Sequence, residues 1–230
     1  DADSGTAAGA YPAGGRHAAH QGSRRLGAAV FRANSDRRAA GRQVVHGAAY
    51  GVAHPGVLCL QRCALRRKVW IAAVDGLALG GGFELLLACD LAVVSSASQL
   101  GLPEAKRGLI AAAGGAFRVG RSLPKAIAIE LAVTGRPMTA ERALHFGLVN
   151  AVAEPGKVVD AAVALAEEVA ANAPLSVDHS LALCKAAAEC SEAELWQQTE
   201  AATPTIIKSA DAKEGMRAFL EKRPANWQGK

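Results

Sequence analysis

The chain has 230 residues, of which 50% are hydrophobic and 20% charged, with a formal net charge of +5. This composition excludes a wholly disordered protein and is sufficient for one domain with a substantial core. Charges interrupt every apolar stretch before the roughly 18 residues of a membrane-spanning helix, so we expect no membrane partner. The first residues lack a basic stretch followed by an apolar one, which predicts no secretory signal.

Five cysteines are scattered along the chain. An odd, dispersed set in a chain of this length favours reduced thiols and a cytoplasmic location. Cys59 and Cys63 have the spacing of half a metal site, but no second Cys/His pair follows at zinc-finger spacing. His17 and His20 lie in a polar, Gly/Ala-rich stretch that is typical of exposed histidines. We therefore predict no metal site.

Residues 1–67 differ in composition from the rest of the chain. They contain ten Arg and three Asp but neither Lys nor Glu, a formal charge of +7, whereas residues 68–230 carry −2. Lys and Glu are among the commonest residues of ordinary proteins. Their joint absence over so long a segment therefore needs an explanation.

Three interpretations of residues 1–67 compete. A nucleic-acid-binding tail would suit the arginines, but no clustered basic run or interleaved aromatic residues support it, so we expect no nucleic-acid partner. A diverged but folded N-terminal half is the second. The third, which we favour, is translation of a GC-rich gene in a shifted frame. We therefore expect an atypical basic segment, disordered or frame-shifted, without regular strand–helix alternation.

An α/β core is predicted from residue 69 onwards. The run VWIAAV at 69–74 is apolar and rich in β-branched residues, as in a buried strand. Pro103 suits the first position of a short helix or turn. The predicted elements are a strand over 69–74, a turn at 75–76, a lead-in over 77–79, a helix over 82–89, a strand over 91–95 and a turn or short helix from 101.

The remaining sequence is predicted to be mostly helical. Thr139 is a plausible N-cap, and Gly147 is typical of a helix end. Helices are predicted over 123–133, 139–147, 156–172, 175–190, 192–207 and 211–221, with a short strand over 149–152. We therefore divide the matched part into a partial α/β core at 68–155 and a helical C-terminal oligomerisation region at 156–230.

The candidate catalytic residues lie around the triple glycine at 80–82. These glycines end an apolar run and open a helix, whose first N–H groups lack intrahelical partners. Glu84 follows in an otherwise apolar segment, and Glu104 lies in a Gly-Leu-Pro-Glu turn. Each has a purely structural alternative, since a flexible turn and acids in first helical turns are common. Together, acids that move protons and N–H groups that hold an oxyanion suit chemistry on a carbonyl compound.

Four stretches resemble the enoyl-CoA hydratase/isomerase (crotonase) superfamily, in its order and spacing. The resemblance covers about residues 68–230 and does not convincingly cover residues 1–67. It implies a crotonase-like α/β spiral of ββα units with a helical C-terminal region. The stretches are IAAVDGLALGGGFELLLACD (71–90), GLPEAKRGLIAAAGG (101–115), LAVTGRPMTAERALHFGLVNAV (131–152) and EGMRAFLEKRPANW (214–227).

The resemblance also implies roles for individual residues. Glu84 and Glu104 match the glutamate pair of members that add water to a double bond, and the Gly81 N–H matches one of two oxyanion donors. The family's Phe-x-Ala-Gly-x-Asp stretch has only a partial counterpart at residues 31–36, FRANSD, which makes Ala33 the candidate second donor. Phe219 and Lys222 match a segment that contacts the CoA moiety, often that of a neighbouring subunit.

The implied function is an enoyl-CoA hydratase, a lyase of fatty acid metabolism that acts on an acyl-CoA thioester. CoA is part of the substrate, and no other cofactor is expected. Double-bond isomerases of the family often keep one glutamate, and a non-catalytic subunit would lack a complete oxyanion hole; both remain alternatives. The resemblance implies a homo-oligomer, a trimer or dimer of trimers (hexamer). Apolar residues of the C-terminal helices support it: Leu181, Leu183, Leu195, Trp196, Ile206 and Ile207.

Overall fold

The structure is a computed structural model that describes residues 28–34, as a strand, and residues 68–230. In this part of the chain, seven strands form two sheets. The strands are β1 (Ala28–Asn34), β2 (Val69–Asp75), β3 (Leu77–Leu79), β4 (Leu91–Ser95), β5 (Gln99–Gly101), β6 (Met138–Thr139) and β7 (Ala151–Ala153). The α-helices are α1 (Gly81–Leu86), α2 (Gly115–Ser122), α3 (Lys125–Thr134), α4 (Ala140–His145), α5 (Val158–Ala170), α6 (Pro174–Ala186), α7 (Glu192–Lys208) and α8 (Ala210–Glu221), and a 3₁₀ helix spans Pro103–Arg107.

The chain alternates between the two sheets. The larger sheet is parallel, with strand order β1-β2-β4-β7. In the smaller sheet, β3 pairs in parallel with β5, and β5 pairs antiparallel with β6. The pairs β2–β3 and β4–β5 each place one strand in each sheet before the chain turns helical. The predicted α/β architecture of ββα units with a helical C-terminal region is therefore confirmed.

Strand β2 is buried on both faces, which explains its nearly continuous apolar sequence. Ile71 and Ala73 pack with α5 on the outer side of the larger sheet. Ala72 and Val74 point the other way, into the main core that the smaller sheet, α1 and α2 enclose. This double burial fixes the end of β2, from which the chain leads through β3 to the glycine turn.

Strand β1 is an element that we did not predict. It pairs in parallel register with β2 along its whole length. A ladder of seven residues requires regular extended backbone, so residues 28–34 are a strand, whereas the expected lack of regular strand–helix alternation over residues 1–67 remains a prediction. Residues 1–27 and 35–67 lie outside the described part, together with Cys59, Cys63, His17 and His20. The predictions for them remain predictions.

The four C-terminal helices lie within a few residues of their predicted bounds. α5 packs on the larger sheet, α6 on α7, and α7 on α8. The tail after α8 folds back on these helices, since the buried Asp211 carboxylate accepts hydrogen bonds from the N–H groups of Gln228 (2.6 Å) and Gly229 (2.9 Å). The Trp227 indole N–H donates to the Ala171 carbonyl at 2.6 Å.

The described residues include neither a membrane-spanning helix nor a metal-binding cluster. None of their helices combines the length and the apolar character needed to cross a bilayer. No cluster of three or more His, Cys, Asp or Glu within residues 28–34 and 68–230 is placed to hold a metal ion.

We predict that Glu214 makes folding more favourable at neutral pH than in acid. Its carboxylate accepts two hydrogen bonds from the Arg223 guanidinium, at 2.6 and 3.1 Å, and one from the Asn226 N–H at 2.9 Å. Arg223 first, and then Asn226, lower the pKa of Glu214 from its ordinary 4.5 to about 2. A lowered pKa stabilises the folded state above pH 4.5, and this contribution is lost as the pH falls towards 2.

Thermal melts of Glu214→Gln should therefore show a lower Tm than wild type at pH 7, with the difference shrinking between pH 4.5 and pH 3. Glu200→Gln is the control, because Glu200 is exposed and has no ion pair among the described residues. A Tm difference for Glu214→Gln that is the same at pH 7 and pH 3 would contradict the assignment.

Candidate active site

The glycine turn at 80–82 joins the smaller sheet to α1. The Gly80 N–H donates to the Gly101 carbonyl at 2.9 Å, which continues the β3–β5 pairing by one residue. The Gly80 carbonyl then accepts the Glu84 N–H at 2.9 Å and so starts the helix. Gly80 has φ +57°, in the left-handed region that favours glycine. This backbone geometry places the first turn of α1 beside the end of β5.

Glu84 is buried in the first turn of α1, with only 5% of its surface exposed. Its Oε1 accepts a hydrogen bond from the Gly115 N–H at 3.0 Å. Gly115 is the first residue of α2. A buried carboxylate needs such donors, because burial penalises its charge.

Glu104 lies in the first turn of the 3₁₀ helix and points back at the glycine turn. A Cβ at Gly80 would lie only 2.9 Å from Glu104 Oε1. Glu104 Oε2 is fully shielded and has no hydrogen-bond partner among the described residues. Burial raises the pKa of Glu104 above its ordinary value, and the negative charge of Glu84 adds to the increase; Arg107 acts in the opposite direction.

The two glutamates therefore lie near each other. Glu104 Oε1 lies against Gly80, whose carbonyl starts the helix that carries Glu84, and the charge of Glu84 acts on Glu104. Phe83 and Leu102, their sequence neighbours, are fully buried in the main core and keep this region apolar. One carboxyl group is anchored by a backbone donor, whereas burial raises the pKa of the other. Such a pair is suited to passing protons in opposite directions.

Gly81 lies at the exposed start of α1. An added Cβ would meet no atom within 4 Å, so its backbone is open to close approach. As a first-turn residue, it has an N–H without an acceptor inside the helix. This geometry is compatible with the predicted oxyanion donor, and the role remains a prediction.

Ala33 lies within β1, opposite Val74 of β2 and next to the last residue of the strand. The chain after Asn34 lies outside the described residues. The second oxyanion donor therefore remains a prediction.

The predicted CoA contacts are not brought to the glutamates within the described chain. Phe219 and Lys222 lie at the end of α8, which packs on α7. Phe219 is 84% exposed. Lys222 has φ +51° and is the only non-glycine residue with positive φ in the described part. Their predicted contact with a CoA moiety remains a prediction, and both side chains are on the surface.

Gly115 is the site residue that sequence reasoning missed. It closes the 101–115 stretch that carries the resemblance, and it begins α2, a helix that we did not predict. Its partner, Glu84, is 31 residues earlier in the chain. The one local signal is a pair of glycines, Gly114 and Gly115, after three alanines.

Comparison with known proteins identifies the family. The model of the Enoyl-CoA hydratase/isomerase family matches residues 30–230. The match begins inside β1, whereas the sequence motifs indicated a start near residue 68. Carnitinyl-CoA dehydratase from Salmonella arizonae is 40% identical over 166 residues, which are 70% of this chain and 64% of that protein. This chain thus spans less than two thirds of the curated relatives it matches.

Solved structures agree with the family assignment. An enoyl-CoA hydratase from Mycobacterium marinum has 48% identity and a TM-score of 0.69, over 71% of this chain and 67% of that one. An enoyl-CoA hydratase subunit from Geobacillus kaustophilus has 38% identity and a TM-score of 0.72, over 76% and 68%. With its paired glutamates and glycine turn in the alternating two-sheet fold, the chain belongs to the enoyl-CoA hydratase/isomerase family, the crotonase superfamily.

Proposed function

We propose that this protein is an enoyl-CoA hydratase, which adds water reversibly across the C2–C3 double bond of a 2-enoyl-CoA thioester. The observation that carries the proposal is the position of Glu104 Oε1 against Gly80, at the start of the short helix that carries the buried Glu84. A shielded Glu104 oxygen that receives no hydrogen bond from the described residues supports it further, because an unsatisfied buried acceptor is costly and a substrate water could bind there.

The proposed mechanism divides the proton transfers between the two acids. The Gly81 N–H holds the thioester oxygen, with the Ala33 N–H as the candidate second donor. Glu84 takes a proton from water as the water oxygen bonds to C3. Glu104 delivers its proton to C2, so that one H and one OH are added. The raised pKa of Glu104 supports its role as the acid, and the Gly115 N–H holds one oxygen of the Glu84 carboxyl group in place.

The alternatives differ in what they require of this pair. A dehydratase, the name carried by the Salmonella relatives, runs the same addition in reverse. A double-bond isomerase needs one proton-shuttling acid, and a non-catalytic subunit needs neither. An absorbance assay with crotonyl-CoA, repeated with a 3-enoyl-CoA, separates them: loss of the enoyl absorbance supports hydration, a gain from the 3-enoyl substrate supports isomerisation, and no change supports a non-catalytic subunit.

We propose that the protein binds its substrate through the CoA moiety, which Phe219 and Lys222 would contact. The exposed ring and the adjacent cation suit a ligand that carries both an aromatic base and phosphates. The proposal includes a cytoplasmic enzyme of fatty acid metabolism that requires neither metal nor other cofactor.

We predict that Glu104→Gln lowers kcat for crotonyl-CoA hydration by about 10²–10⁴-fold, because a positioned general acid or base contributes that much. KM should change little, since the amide keeps the size of the carboxyl group. Steady-state kinetics measure both. Glu141→Gln is the matched control, an exposed first-turn acid of α4 that should leave both constants unchanged.

Glu84→Gln should reduce kcat similarly, because the two acids share one reaction. The double variant should then lose far less than the product of the two single losses. If the wild type is active and Glu104→Gln keeps more than half of its kcat, the two-glutamate mechanism is excluded.

We also predict that the protein is a trimer or a dimer of trimers. The C-terminal helices expose more apolar surface than a monomer needs; these residues include Trp196 (59% exposed), Ile207 (66%), Met216 (72%) and Leu220 (78%). Light scattering at micromolar concentration should give three or six times the 23.6 kDa chain mass. A monomeric mass would contradict the prediction.

A further inference from the structure

The start of α2 is in direct contact with Glu84. The Gly115 N–H donates to Glu84 Oε1 at 3.0 Å, and both groups are buried. No described residue donates a hydrogen bond to Glu84 Oε2. The two oxygens of this carboxylate therefore differ: one is held by the backbone and the other is left for a ligand.

The same contact leaves no space for a side chain at position 115. A Cβ there would lie 2.8 Å from Glu84 Cγ, 2.9 Å from Leu102 Cδ2 and 3.0 Å from Ala111 Cβ. Leu102 is fully buried and cannot move easily. A substitution at Gly115 would therefore displace the glutamate or lengthen its hydrogen bond to the backbone.

We propose that Gly115 is a positioning residue for Glu84. Its N–H fixes Oε1, so that Oε2 is the oxygen that takes the proton from water. This role deepens the proposed hydratase function, and its kinetic test rests on that function. The contact itself is tested independently of activity.

The first experiment is amide hydrogen exchange followed by mass spectrometry. Glu84→Ala removes the acceptor, so the Gly115 amide should exchange about ten-fold faster than in wild type. Glu104→Ala is the matched control, since Glu104 makes no hydrogen bond to α2, and exchange at Gly115 should stay unchanged. Equal exchange in wild type and Glu84→Ala would overturn the proposal. This measurement needs no substrate and no variant at Gly115.

The second experiment compares two glycine-to-alanine variants of the same helix. Gly115→Ala should lower kcat for crotonyl-CoA about 10–100-fold, with KM within about threefold of the wild-type value. Gly120→Ala should leave both constants unchanged, because a Cβ at Gly120 meets nothing within 4 Å.

A double variant shows whether Gly115 acts through Glu84. In a Glu84→Gln background, Gly115→Ala should cause less than about a threefold further loss of kcat. A full additional loss, or a Gly115→Ala enzyme that keeps more than half of its kcat, would overturn the proposal. Failure of the wild type to hydrate crotonyl-CoA would instead refute the proposed function, and hydrogen exchange would still decide the contact.

Discussion

Gly80 connects the three elements that hold the two glutamates. Its N–H closes the ladder to Gly101, its carbonyl starts α1, and its Cα lies against the Glu104 carboxyl group. A side chain here would be strained at φ +57° and would also collide with Glu104. A residue without a Cβ is therefore required for the Glu104 carboxyl group to lie against the start of the helix that carries Glu84. The smaller sheet matters to the site mainly because it delivers this one residue.

The site carries a cost that the rest of the fold must offset. Two carboxyl groups in apolar surroundings oppose folding unless each is neutralised, hydrogen-bonded or solvated. Glu84 is satisfied by the start of α2, and the raised pKa of Glu104 shows the other response, a shift towards the neutral acid. The same burial thus leaves the two carboxyl groups in different surroundings, one hydrogen-bonded to the backbone and one with a raised pKa. The densely packed strands β2 and β4 supply apolar burial on both faces of the larger sheet and support this arrangement.

Local patterns predicted the fold well where elements are regular. The strand at 69–74, the strand at 91–95 and the Thr139 cap follow from apolar runs and capping chemistry and are confirmed, the cap by the Arg142 N–H. Strands β5 and β6 were missed because two or three residues carry no readable period. Strand β1 was missed because the atypical composition of residues 1–67 argued against regular structure there. Without β1, the edge of β2 would be unpaired and its backbone groups would lack hydrogen-bond partners. Pairing with β2 therefore favours a strand at residues 28–34, whatever their local composition.

The same distinction applies to the candidate site: some of its residues can be predicted from local sequence, whereas others depend on contacts between distant parts of the chain. The glycine turn, Glu84 and Glu104 stand out as residue types in unusual sequence, and the family resemblance gave them roles. Gly115 does not stand out by residue type. Its importance comes from a contact with a residue 31 positions earlier and from the three atoms that an added Cβ would meet. A glycine is informative only when its surroundings are known, since the same residue at position 120 faces open space. Sequence therefore identifies the candidate groups for chemistry, whereas the packing around them reveals which residues contact those groups.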